Sequence, residues 1–216
     1  MPFPGLARRL APCGAVGAVL FVAVFLIDGA VHADYDPVRD TVSELALGPG
    51  GWVQVTNFLV TGLLMIAFAV SLAWTLRSGR SYHWAPRLFA AYGVGLIVSG
   101  IFVTDPVPSD TVTTHGAVHL AAGVLVFASL TAACFVVARR FPDRRWAWYC
   151  RVTGIAVPVF FIAMGAGPPS VVGLFQRVSI VAGWSWVAVI SIRAWLSNRH
   201  PRPADDADAD DPEWDE

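Results

Sequence analysis

The chain has 216 residues, 56% apolar and 14% charged, with a formal net charge of −1 and a mean hydropathy of +0.58. Soluble domains carry about 25% charged residues, so the composition excludes an ordinary water-soluble globule. The basic residues are fifteen arginines, spread over several loops with no basic-aromatic groove, which excludes a nucleic-acid binder.

The net charge is a cancellation. The tail from Asp205 holds eight of the sixteen acidic residues, which leaves fifteen arginines against eight carboxylates in the body. Several apolar runs reach the roughly 20 residues that cross a bilayer as helix. The predicted fold is all-α, a six-transmembrane-helix bundle over residues 10–197.

Residues 1–9 are predicted as a short cytoplasmic tail with Arg8 and Arg9. The first span is predicted over 10–31, with Asp28 in its last turn. Its basic start, apolar middle and Val-His-Ala ending at Ala33 also fit a cleavable signal peptide. Its length and the position of Asp28 favour a retained span. A polar loop follows, in which Asp40 is predicted to cap a short helical turn through Glu44. Gly48-Pro-Gly-Gly then breaks the chain before Trp52.

The next spans are predicted over 53–76, 88–103, 115–138, 147–164 and 173–195, the fifth interrupted by Pro158. Gln54 and Asn57 are read as interhelical hydrogen-bonding groups. Gly95 and Ser99 form a small-xxx-small pair suited to close helix approach. Residues 198–216 are low in apolar side chains and strongly acidic, and are predicted to be a disordered cytoplasmic tail.

Orientation follows from the arginines. Placing the N-terminus inside puts thirteen arginines on the inner side and only Arg39 and Arg177 on the outer, the asymmetry that cytoplasmic loops show. Both termini are therefore expected in the cytoplasm of a multi-pass plasma-membrane protein. Cys13, Cys134 and Cys150 then lie in the inner half, where thiols stay reduced, and no disulfide is expected.

With this topology the remaining polar groups collect at the outer face, around the turn from Thr104 to His119. His115 and His119 are four apart and share a helix face. Two imidazoles at that spacing suit a metal such as zinc, with Asp105, Asp110, Asp28 or His32 as a third ligand. The glutamate of an H-E-x-x-H motif is missing. The bland alternative is that His115 only begins the helix and His119 bonds a neighbouring span. Asp105 and Arg177 are expected to meet as an ion pair, with Arg177 also suited to an anionic head group or a carboxylate. Ser43-Glu44 sets a hydroxyl beside a carboxylate. No G-x-S-x-G surrounds it, and a helix cap is the preferred reading.

The candidate ligand-binding residues are thus Ser43, Asp105, His115, His119 and Arg177, and the candidate metal ligands are His115, His119 and Asp105. Three functions are open: a polar outer-face pocket for a small or lipid ligand, a metal-dependent hydrolase at the outer interface, or a proton-coupled transporter using Asp28 or Asp105. A purely structural role is the fourth.

SELALGPGGWVQVTNFLVTGLL, from Ser43 to Leu64, resembles the first signature of the domain of unknown function 998 family of bacterial and archaeal membrane proteins. GIFVTDPVPSDTVTTHGAVHL, from Gly100 to Leu120, resembles its second, and GLFQRVSI, from Gly173 to Ile180, the start of its last span. The resemblance implies about six spans and marks Ser43, Asp105, His115, His119 and Arg177 as motif positions. It implies no reaction. A looser similarity links the outer Ser, Asp and His to membrane hydrolases of the alkaline ceramidase and progestin-receptor-like group, which gather such residues around zinc but have seven spans.

Overall fold

The computed structural model describes residues 4–76, 80–107, 109 and 111–199. Asp110 and the acidic tail from residue 200 lie outside the described residues. All regular structure among them is helical: α1 (Pro4–Leu10), α2 (Cys13–Val31), α3 (Trp52–Thr75), α4 (Arg80–Ile101), α5 (Thr114–Ala138), α6 (Arg144–Ala166) and α7 (Val172–Arg199), with 3-10 turns at Val42–Ala46 and Pro169–Val171. Six stretches are long and apolar enough to cross a membrane: Gly5–Val31, Trp52–Thr75, His83–Ile101, Thr114–Ala138, Arg144–Ala166 and Pro169–Ser197.

Three elements differ from expectation. Residues 4–9, expected as part of a tail, form α1 together with Leu10. Helix α4 begins at Arg80, inside the expected basic link, with Pro86 in its second turn. Proline removes a main-chain bond there, but Ala85 and Phe89 are buried on either side of it, and their packing carries the helix through. Helix α6 likewise runs unbroken past Pro158, where the Ser179 hydroxyl donates to the Val157 carbonyl at 2.8 Å.

The helices form a closed ring. Each of α2 to α7 packs on its chain neighbours, and α7 packs back on α2. Phe21, Phe58, Phe68, Phe89, Tyr92, Trp184 and Trp186 are buried in the shared core. Helices α3 and α4 meet closely: a Cβ on Gly62 would lie 2.7 Å from the Gly93 carbonyl oxygen. Gly95 similarly lets α4 approach α5, since a Cβ there would meet Val126 at 2.7 Å.

The seam between α2 and α7 carries an unusual contact. The Ser191 hydroxyl donates to the Ala11 carbonyl at 2.7 Å and accepts the Ala15 N–H at 2.8 Å. These two groups are i and i+4, the pair that would bond each other in a continuous helix. An inserted side chain of this kind bends a helix, and here it sits at Pro12, where α1 passes into α2.

Outside the ring, Val19, Ile27, Leu63, Val152 and Ile162 are exposed. They belong to an apolar surface that acyl chains would cover. At one end of the bundle stand Arg139, Arg140, Arg144, Arg145 and Arg193, the last with its guanidinium carbon 3.9 Å from the centre of the Trp146 ring. At the other end stand Asp28, Asp36, Asp40, Glu44 and Asp105. The bundle thus has an arginine-rich end and an acidic end. Cys13, Cys134 and Cys150 are free thiols, and Cys150 accepts the Trp186 indole N–H at 3.3 Å.

Candidate functional site

The site is built at the acidic end from the loop between α2 and α3. Contrary to expectation, Asp40 does not cap the 3-10 turn; its carboxylate is taken by the Asp36 N–H at 2.8 Å and the Arg39 guanidinium at 2.8 Å. The Arg39 bond holds the Asp40 carboxyl below its ordinary range. The cap is Thr41, whose hydroxyl accepts the Glu44 N–H while Glu44 accepts the Thr41 N–H at 2.7 Å. This is a reciprocal capping box. It leaves Ser43 in the first turn with its hydroxyl facing inward.

Arg177 and Gln176 fasten this loop to α7. Arg177 donates to the Asp40 carbonyl at 2.8 Å, to the Gly173 carbonyl at 3.1 Å and to the Tyr35 hydroxyl. Tyr35 in turn donates to the Thr41 carbonyl at 2.9 Å. Burial pushes the Tyr35 phenol up to about 12, against the opposing charge of Arg177. Gln176 accepts the Val42 N–H at 2.6 Å. Gly173 permits the junction, because a Cβ there would overlap the Asp40 carbonyl.

The loop between α4 and α5 closes the other side. Asp105 accepts the Thr113 N–H at 2.9 Å and the Thr113 hydroxyl at 2.7 Å. These bonds hold its carboxyl below the usual range. Thr113 caps α5 through the Gly116 N–H at 3.0 Å, and any side chain on Gly116 would overlap the Asp105 carboxylate. Glu44 reaches across and accepts the Val107 N–H at 2.8 Å. One carboxylate thus stitches both loops together.

Beneath this stitch lies the central pair. His119 is buried one turn into α5. Its Nδ1 lies 3.0 Å from the Ser99 carbonyl and 2.8 Å from the Phe102 carbonyl. Its Nε2 lies 3.0 Å from the Ser43 hydroxyl. Both Nδ1 partners are acceptors only, so Nδ1 carries the proton. Nε2 is then the lone-pair nitrogen and accepts the hydrogen of Ser43.

Both side chains line a cavity of about 170 Å³. Thr41, Ser99, Thr104 and Gln176 add polar groups to its wall, while Phe21, Phe58, Tyr92 and Trp184 line its apolar part. Toward the bilayer the wall is made by Leu120, Gly123 and Phe127 of α5 and by Phe161 and Met164 of α6. Leu120 is 60% exposed, and a Cβ on Gly123 would meet nothing within 4 Å. The cavity wall thus reaches the outward side of α5 at Leu120 and Gly123, while below them Phe127 and Phe161 stack across α5 and α6 with ring centres 4.2 Å apart.

The sequence profile of the family described as "Protein of unknown function (DUF998)" matches residues 15–193. The chain belongs to the DUF998 family. No curated protein and no solved structure matches it.

In this DUF998 chain the residues expected at the site divide into separate groups. Ser43 and His119 meet. Asp105 and Arg177 do not pair: Asp105 is spent on the α5 cap, and Arg177 on Tyr35 and main-chain carbonyls. Ion-pair contacts elsewhere at this end include Arg39–Asp40 at 2.8 Å and a longer His32–Asp28 contact of 4.0 Å.

His115 is exposed and lies against Phe102, ring centres 5.3 Å apart. His119 has both ring nitrogens engaged by protein groups, the arrangement of the bland alternative in which it bonds a neighbouring span. Among the described residues no three His, Cys, Asp or Glu side chains are grouped as metal ligands would be. Asn57 bonds across helices as expected, to the Phe21 carbonyl at 3.2 Å.

Thr41, Ser99, Gln176, Tyr92 and Trp184 were not among the expected site residues. Gln176 had a signal, since it adjoins Arg177 in GLFQRVSI. Tyr92 and Trp184 had none, because an aromatic residue inside an apolar span reads as core.

Proposed function

We propose that this cavity binds a single-chain amphiphile that enters from the bilayer between α5 and α6. The observation that carries this is the reach of the cavity wall to the exposed Leu120 and to Gly123, where a side chain would meet nothing, joined to a wall that is aromatic on one part and hydroxyl-, amide- and imidazole-bearing on the other. A ligand with an acyl or alkyl tail and a compact polar head satisfies both parts. The arginine asymmetry supports an acidic end on the outer side of a bacterial plasma membrane, with both termini in the cytoplasm. The head group then sits at the outer interface.

Gly123→Trp tests this directly. The space beside Gly123 is open, so the indole fills the entrance without disturbing the fold. A fluorescent alkyl amphiphile titrated into the detergent-purified protein should bind at least about tenfold more weakly to the variant, roughly 1.4 kcal/mol. The melting temperature should stay unchanged. Equal affinity in both proteins would refute the lateral pocket.

A further inference from the structure

We infer that Ser43 is a nucleophile activated by His119, and that the pair cleaves a carboxylic ester of the amphiphile held in the cavity. This rests on the amphiphile-binding reading above and adds a reaction to it. Three observations carry it. The Ser43 hydroxyl and His119 Nε2 are 3.0 Å apart, the reach that proton transfer requires. Two main-chain carbonyls fix the protonated nitrogen as Nδ1, the role a third group plays in nucleophile–base–orienter sets. Both reacting side chains face the cavity and not the lipid.

A bond that only tied the loop to α5 would need neither a cavity at the hydroxyl nor a fixed tautomer. Burial of His119 at 8% exposure also shields the pair from bulk water, where a serine–histidine bond competes poorly.

The step balances without any redox partner. Ser43 Oγ attacks the ester carbonyl carbon, and its proton passes to His119 Nε2. The carbonyl–alkoxy bond then breaks, and the leaving alcohol takes that proton. This leaves an acyl ester on Ser43. Water entering from the acidic end gives a proton to Nε2, attacks the acyl carbon and releases the carboxylic acid, and the proton returns to Oγ. The tail stays on the aromatic wall throughout, and the cleaved bond sits at the polar rim beneath Glu44.

The test uses the full chain in detergent with two probes. One is a long-chain alkyl fluorophosphonate, which phosphonylates an activated serine. The other is the corresponding unreactive alkyl phosphonate, which reports binding alone by competition. The expected result is one adduct per chain, mapped to Ser43 by peptide mass spectrometry, absent in Ser43→Ala and formed at least about 100-fold more slowly in His119→Gln. Melting curves show whether each variant is folded. Should His119→Gln fail to fold, the mapped adduct on the unmodified protein decides alone. Competition by the unreactive phosphonate with Ser43 left unmodified would overturn the nucleophile and leave the binding pocket standing. Loss of both competition and labelling would overturn both. An adduct at a different serine would also overturn the assignment.

Discussion

Asp105 shows how one side chain's charge state can hold a loop. Its carboxylate takes two bonds from Thr113, and those bonds lower its pKa in the folded protein. This stability is present above the ordinary aspartate value, about 3.9, and is lost as pH falls through the lower folded value. Asp105→Asn should therefore melt below the unmodified protein near neutral pH, and the gap should close in acid. Thermal unfolding across that range checks it, and a gap that stays constant would show that charge is not the cause.

The histidines illustrate what residue spacing conveys and what it omits. Positions four apart do share a helix face, but His115 is the second residue of α5 and stands above the packed ring, while His119 lies within it. Spacing specifies the face and leaves depth open. Arg177 shows a related limit. The sequence offered Asp105 as its natural partner by charge, whereas the fold supplies a phenol and two carbonyls that no charge count identifies.

At the scale of elements, the spans were legible because crossing a bilayer demands length and apolar content that few other structures share. Their ends were less so. The starts of α1 and α4 lie in arginine-bearing sequence that reads as tail or link, and burial of residues such as Ala85 overrides it. The meeting of Ser43 with His119 was not legible at all. It depends on a reciprocal cap at Thr41 and Glu44 and on Gln176 anchoring Val42, three local choices that set where one hydroxyl points.

The α3–α4 contact makes a sharper element-scale prediction. A Cβ on Gly62 would press on the Ile97 side chain and on the Gly93 carbonyl oxygen, each 2.7 Å away, and the carbonyl, being main chain, cannot swing aside. Gly62→Ala should cost about 1–3 kcal/mol in denaturant unfolding of the detergent-solubilised protein. Gly123→Ala, facing open space, should cost almost nothing. Similar losses in the two variants would show that the helices are not held at that distance.

For the whole molecule, the ring closes through α2 and α7, which lie farthest apart in sequence among its six spans. Ser191 stands at that closure, occupying the gap between the Ala11 carbonyl and the Ala15 N–H. Ser191→Ala should leave those groups unpartnered and lower unfolding stability by about 1–3 kcal/mol, unless the first span straightens to re-form its own bond. Proximity labelling between cysteines introduced on α1 and α7 would separate these outcomes.

The same contact bears on biogenesis. Chains emerge from the ribosome N-terminus first, so the first span enters the bilayer long before residue 191 exists. It must wait there either straight, with its own helical bond made, or bent and incomplete. Its native bend becomes available only when the last helix arrives. The junction at Pro12 is thus completed by a residue 176 positions beyond Ala15, and a nascent chain halted before α7 lacks the hydroxyl that holds the bend.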